Sequence, residues 1–205
     1  MKYLWLILAF ASALNAQMFD DFSDGDFNQN PVWSGIKENF EVDNENRLHL
    51  NAPRESKSSY LSTSTILLEN PTWKMQLKLE FDPSSSNYLD WYLMANDSVL
   101  KNSTKAYFVR IGGAQDEVSL YRRINGEETK IIDGLNKRTN NNPVNLGIKV
   151  NQSASGNWRL WVDLLDEKGW VLEGSVYDIE VQETSYSGIH CVYTCLLYTS
   201  PSPRD

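Results

Sequence analysis

The chain has 205 residues, 41% of them hydrophobic and 12% aromatic, with a formal net charge of −8. That length suits one domain, and the aromatic content can fill a sizeable core. An acidic balance without a basic stripe argues against a nucleic-acid partner.

Met1-Lys2, the apolar run Tyr3 to Leu14 and Asn15-Ala16-Gln17 follow the three-part pattern of a secretory signal peptide, cut after Ala16 or, alternatively, after Ala13. An apolar run of about a dozen residues falls short of the roughly 20 that span a bilayer. Residues 1–16 are therefore read as a leader, no transmembrane span is expected, and the protein is expected to be secreted or on the cell surface.

Next comes Phe19-Asp20-Asp21-Phe22-Ser23-Asp24-Gly25-Asp26-Phe27. Asp20, Asp21, Asp24 and Asp26 are candidate oxygen ligands for a hard cation such as Ca2+. Their spacing does not match the calcium loop with ligands at alternate positions, so a solvated acidic turn is the preferred reading.

From there the signal is period two. Trp73, Met75, Leu77, Leu79 and Phe81 alternate with polar residues, as do Val144–Val150 and Trp158–Leu164. In a strand this sorts apolar and polar side chains onto opposite faces. Further strands are predicted at Phe40–Val42, Arg47–Leu50, Ser59–Ser62, Leu89–Ala95, Ala106–Ile111, Val118–Arg123, Lys130–Ile132, Val171–Val176 and Ser187–Tyr193. Turn residues separate them, and Asn125-Gly126 is the strongest hairpin signal. About a dozen short half-polar strands indicate an all-β, two-sheet antiparallel jelly-roll sandwich over residues 17–194.

A carbohydrate site needs aromatic platforms with polar groups beside them. Tyr88, Asp90, Tyr92 and Met94 are predicted to share one face of their strand, opposite Leu89, Trp91, Leu93 and Ala95. Arg110, Tyr121 and Arg123 are expected nearby on adjacent strands. The alternative is that these are ordinary half-exposed strand residues with good β propensity. His49 and His190 lie in separate strands and offer no zinc spacing. No paired-carboxylate strand motif and no G-x-S-x-G elbow is found; Asp116 and Glu117 are the nearest acidic pair. The expectation is a non-enzyme. Asp97-Ser98-Val99 fits a short O-glycosylation sequon.

The last residues, Cys195–Asp205, read CLLYTSPSPRD. All eleven resemble one reading frame of a transposase-type sequencing adapter, so 195–205 is read as translated adapter and kept out of fold reasoning. Removing Lys2, Arg204 and Asp205 with the two ends leaves a net charge of about −9. Cys191 is then the one remaining cysteine, a small buried hydrophobe with no partner for a bridge.

The segments FDDFSDGDF (Phe19–Phe27), NPVWSG (Asn30–Gly35), SYLST (Ser59–Thr63), LEFDPSSSNY (Leu79–Tyr88), YFVRIGG (Tyr107–Gly113), DEVSLYR (Asp116–Arg122), KIIDG (Lys130–Gly134) and SASGNW (Ser153–Trp158) resemble the laminin-G/concanavalin A-like jelly roll that opens many secreted Bacteroidota surface proteins. The resemblance runs over nearly all of 17–194 and carries no established catalytic residue. It implies a non-catalytic binding or adhesion module contacting a glycan or cell-surface polymer. An accessory domain of a larger secreted hydrolase and a structural spacer are the alternatives. It also implies a further closing strand, pairing near Phe19–Phe22, that this chain lacks.

Overall fold

The computed structural model describes residues 18–194. The leader and adapter readings, at 1–16 and 195–205, lie outside the described residues. The strands are β1 (Ser34–Gly35), β2 (Phe40–Val42), β3 (Leu48–Leu50), β4 (Lys57–Ser64), β5 (Thr72–Leu79), β6 (Tyr88–Ala95), β7 (Lys105–Gly112), β8 (Glu117–Ile124), β9 (Glu127–Ile132), β10 (Val144–Gln152), β11 (Asn157–Asp163), β12 (Trp170–Tyr177) and β13 (Tyr186–Tyr193). Every strand predicted from period two is present, with ends within about three residues; the two-residue β1 was not foreseen. No helix among the described residues is long and apolar enough to cross a membrane.

Seven strands form one sheet in the order β1-β4-β13-β6-β7-β8-β9, and four form a second in the order β12-β11-β10-β5. The β2–β3 ribbon is separate. All pairings are antiparallel. The chain is thus an all-β two-sheet sandwich of jelly-roll type. Asn125 and Gly126 both have positive φ, at 52° and 87°, and close the β8–β9 hairpin as their sequence predicts.

Alternation explains how the sheets stack. Leu61, Ile189, Trp91, Val109, Leu120 and Ile132 lie opposite one another across six neighbouring strands. From Ile189 to Ile132 this row packs with Leu146, Ile148, Val150, Trp158, Leu160 and Val162 of the smaller sheet. The indole of fully buried Trp158 stacks on Trp73 at 5.6 Å, touches Tyr107 at 4.3 Å, and donates to the Asp178 carbonyl at 3.0 Å. Asp178 also accepts from the Tyr107 hydroxyl and from Arg122, tying the end of the second sheet to the first. The β2–β3 ribbon brings Phe40 and its neighbours onto Leu61, alongside Phe27 and Trp33.

Gly188 permits a close approach between β13 and β4 of the large sheet. A Cβ there would lie 2.1 Å from the Leu61 carbonyl oxygen, a contact only a backbone shift could relieve. Gly188→Ala is expected to cost about 3 kcal/mol. Urea unfolding of both proteins measures it, and equal midpoints would contradict the close approach.

Burial also holds protons. It pushes the Cys191 thiol up to about 12, with the Asp90 charge adding to the effect. Burial likewise raises the Tyr92 hydroxyl and, with help from Asp178, that of Tyr107. Each folded value lies above its unfolded one, so the folded chain keeps protons that the unfolded chain releases. This stabilisation is complete below the unfolded thiol value of about 8.5 and is lost as pH rises through the folded values. The urea midpoint is expected to hold to about pH 8 and fall steadily by pH 11; a flat profile would contradict it.

Candidate functional site

The outer face of the seven-stranded sheet, turned away from the core row, carries a second cross-strand row. Tyr60, His190, Asp90, Arg110 and Ser119 face one another across β4, β13, β6, β7 and β8. Arg110 binds Asp90 through two bonds, Nε to Oδ1 at 2.7 Å and Nη2 to Oδ2 at 2.9 Å. Nη2 also reaches Glu128 Oε2 at 3.2 Å. The guanidinium lies 4.6 Å from the Tyr88 ring centroid and 4.9 Å from that of Tyr121. Such a fork between aromatic faces is fixed in orientation.

Asp90 is only 2% exposed, and the Arg110 side chain is 20% exposed. Burial pulls the Arg110 guanidinium down, but Asp90 outweighs it and holds the group more firmly protonated. Tyr88 and Tyr121 are half-buried, and burial raises both hydroxyls, so they stay neutral donors at physiological pH. The remaining charges are paired as well. Arg123 binds Glu128, and Lys130 binds Glu117 and Asp133.

His190 is the exception. It is 7% exposed, and neither ring nitrogen has a hydrogen-bond partner. Its Nδ1 stands 3.9 Å from Asp90 Oδ2, beyond hydrogen-bond range.

Tyr88, Asp90, Tyr92, Arg110, Tyr121 and Arg123, proposed from sequence, therefore do cluster on one sheet face, but not all of them can meet a ligand. A bulge between Tyr92 and Met94 shifts the β6–β7 register. It turns Met94 into the core and Ala95 outward, the reverse of the simple alternation. The β6–β7 loop then folds over this end. Leu100 packs on Tyr92, Ala95, Ala106 and Phe108, and its carbonyl, like that of Lys101, accepts from Arg123. Tyr92 is 0% exposed and Arg123 6%, so both are corrected from ligand contacts to packing residues. The accessible set is Tyr88, Arg110 and Tyr121, with Glu128 and Lys130 at the margin. In sequence His190 offers no zinc spacing; period two turns it away from Ile189 and Cys191, and the pairing of β13 with β6 brings it beside Asp90. Nothing local to residues 96–104 signalled the covering loop.

The acidic segment does not gather into a cation site. Asp20 accepts from the Phe22 amide at 2.8 Å and the Trp33 indole at 2.6 Å. Asp21, Asp24 and Asp26 each accept from the amide two residues on, and Asp26 also from Gln29. Ser23 holds the Asp21 carboxyl below its usual range. Each carboxylate shapes its own turn, and no group of three His, Cys, Asp or Glu side chains among the described residues is placed to hold a metal. The four aspartates do not fit the calcium site suggested for them. Asp116 and Glu117 do not form a facing carboxylate pair either. Asp116 lies in a turn at φ 53°, and Glu117 is taken up by Lys130.

Removing Arg110 would strand Asp90. Arg110→Ala is expected to cost about 3–5 kcal/mol, and adding Asp90→Leu to recover part of it. Thermal or urea melts of the single and double variants decide; a double variant less stable than the single would contradict the pairing.

No family model matches the chain, and no curated protein matches it by sequence. Solved structures do. The carbohydrate binding module CBM66 from Bacillus subtilis superposes with a TM-score of 0.56 at 12% identity, covering 79% of this chain and 91% of that one. The VIP36 exoplasmic/lumenal domain in its Ca2+/Man3GlcNAc-bound form gives 0.57 at 12%, covering 83% and 80%. The legume lectin-like domain from Entamoeba histolytica gives 0.51 at 12%, covering 87% and 92%. At these identities the likeness is one of fold alone, the two-sheet jelly-roll sandwich.

Proposed function

We propose that this chain is a non-catalytic carbohydrate-binding module of an exported protein, and that the outer face of its seven-stranded sheet is the binding surface. One observation carries the reading: Tyr88 and Tyr121 flank an Arg110 that Asp90 holds in a fixed orientation, with the unpartnered imidazole of His190 alongside. A sugar presents an apolar C–H face and fixed hydroxyls. The tyrosine rings suit the first, and the Arg110 fork and tyrosine hydroxyls suit the second. The fork is already ordered, so binding need not pay to arrange it. Three similar folds are described as a carbohydrate binding module, a mannose-glycan-bound domain and a lectin-like domain, which agrees with this reading. The leader pattern at 1–16 supports export, and the motif resemblance supports a Bacteroidota surface protein.

Calcium has no step in this proposal. A glycan array with the exported form is expected to show binding that Tyr88→Ala or Tyr121→Ala weakens about tenfold or more, at little cost in melting temperature. EDTA and millimolar calcium are expected to change neither binding nor melting. Array binding indifferent to both tyrosines would overturn the assignment.

A further inference from the structure

The outer face of the four-stranded sheet carries a different chemistry. Lys74 of β5 lies directly opposite Lys149 of β10, which lies directly opposite Trp161 of β11. Lys149 Nζ sits 4.7 Å from the Trp161 ring and 4.8 Å from that of Trp170, so the ammonium bridges two indoles. Arg159, two residues from Trp161, is the diagonal neighbour of Lys149 on the same face. Lys74 and Arg159 are exposed, and neither they nor Lys149 make an ion pair among the described residues. Of the carboxylates that alternation places on this side, Asp163 accepts from the Leu165 amide and Glu80, just past β5, pairs with Lys78. Like charges directly opposite one another on a sheet face are destabilising. In a chain of net charge −8, there is no folding reason to gather three unpaired cations here.

Around Arg159 the face opens into a depression of about 640 Å³ whose lining includes Thr72, Asn151, Ser153, Asn157 and Ser175. Hydroxyl and amide groups of this kind suit a polyhydroxylated ligand. Trp170 is 40% exposed and Leu172, opposite Trp161, is 44% exposed, leaving an apolar flank for ring stacking.

We infer that this face binds an acidic polysaccharide whose repeating sugars bear carboxylates. Its carboxylates lie between Lys74, Lys149 and Arg159 and relieve their repulsion. Its rings stack on Trp170 and the Trp161 edge, and its hydroxyls enter the depression. The surface is separate from the Tyr88–Tyr121 face on the other sheet, and either can fail without the other.

The test is retention of the exported chain on a polygalacturonate-coupled resin, beside the fully methyl-esterified polymer, DNA-cellulose and anionic phospholipid vesicles. The acid form is expected to retain the chain and release it at about 0.5 M salt, and the neutral ester to let it pass. Lys74→Glu/Arg159→Glu is expected to weaken binding about tenfold or more without lowering the melting temperature, and Tyr121→Ala to leave binding intact. Failure of the acid form to retain the chain would falsify the inference. So would equal retention by the ester, indifference to the double charge reversal, or equal or stronger retention by DNA or by vesicles.

Discussion

The structure depends on the alternation of inward and outward residues through the centre of the seven-stranded sheet. One side of its centre is the row from Leu61 through Trp91 to Ile132; the other is the row from Tyr60 through Asp90 to Ser119. A slip of one residue in β6 would put Asp90 into the dry layer and expose Trp91, and one in β7 would do the same with Arg110 and Val109. Burying an unpaired charge costs several kcal/mol, about as much as a domain's whole margin of stability. Register is therefore set by what cannot be buried as much as by what must be. Gly188, pressed against the Leu61 carbonyl, and the Asn125-Gly126 turn hold the same register from two further points.

The Asp90–Arg110 pair is a device of specificity more than of stability. A buried pair gains in attraction roughly what it loses in hydration. It fixes two side chains at the middle of a five-residue row and orients the guanidinium between Tyr88 and Tyr121. The neighbouring pairs Arg123–Glu128 and Lys130–Glu117 balance the same face. Charges that already have partners do not draw an ion from solution. What this face offers is oriented donors and ring surface, which selects for neutral polar ligands.

Period two made the fold legible, because strand, face and burial all follow from one alternating pattern. Trp73 to Leu79, Val144 to Val150 and Trp158 to Val162 each sit where that pattern put them. The pattern failed where the backbone departs from it. The bulge at Tyr92/Met94 exchanges the faces of Met94 and Ala95, and no residue type there announces it. Of the site, the cross-strand gathering of Tyr88, Asp90, Arg110 and Tyr121 was legible. The burial of Tyr92 and Arg123 was not, because it depends on a distant loop bringing Leu100 over them. The aspartates of Asp20–Asp26 misled for a related reason. A dense acidic string reads as a ligand set, but each carboxylate accepts from its own chain two residues on, and Asp20 also from the Trp33 indole.

The two outer faces follow opposite electrostatic rules. On the outer face of the large sheet Arg110, Arg123 and Lys130 each have a carboxylate partner, so that cluster is near neutral and ordered before any ligand arrives. On the small sheet Lys74, Lys149 and Arg159 stand unpaired, with two indoles sharing one ammonium in place of a carboxylate. Cation–π contact at an exposed site is worth only about 0.5–1 kcal/mol, comparable to the cost of like charges facing one another on a sheet, and is easily exchanged for a true counter-ion. Paired charges fix a shape, whereas unpaired ones gain by meeting a counter-ion. Because the smaller sheet's core-facing side chains already secure its stability, its outer face is free to carry that imbalance.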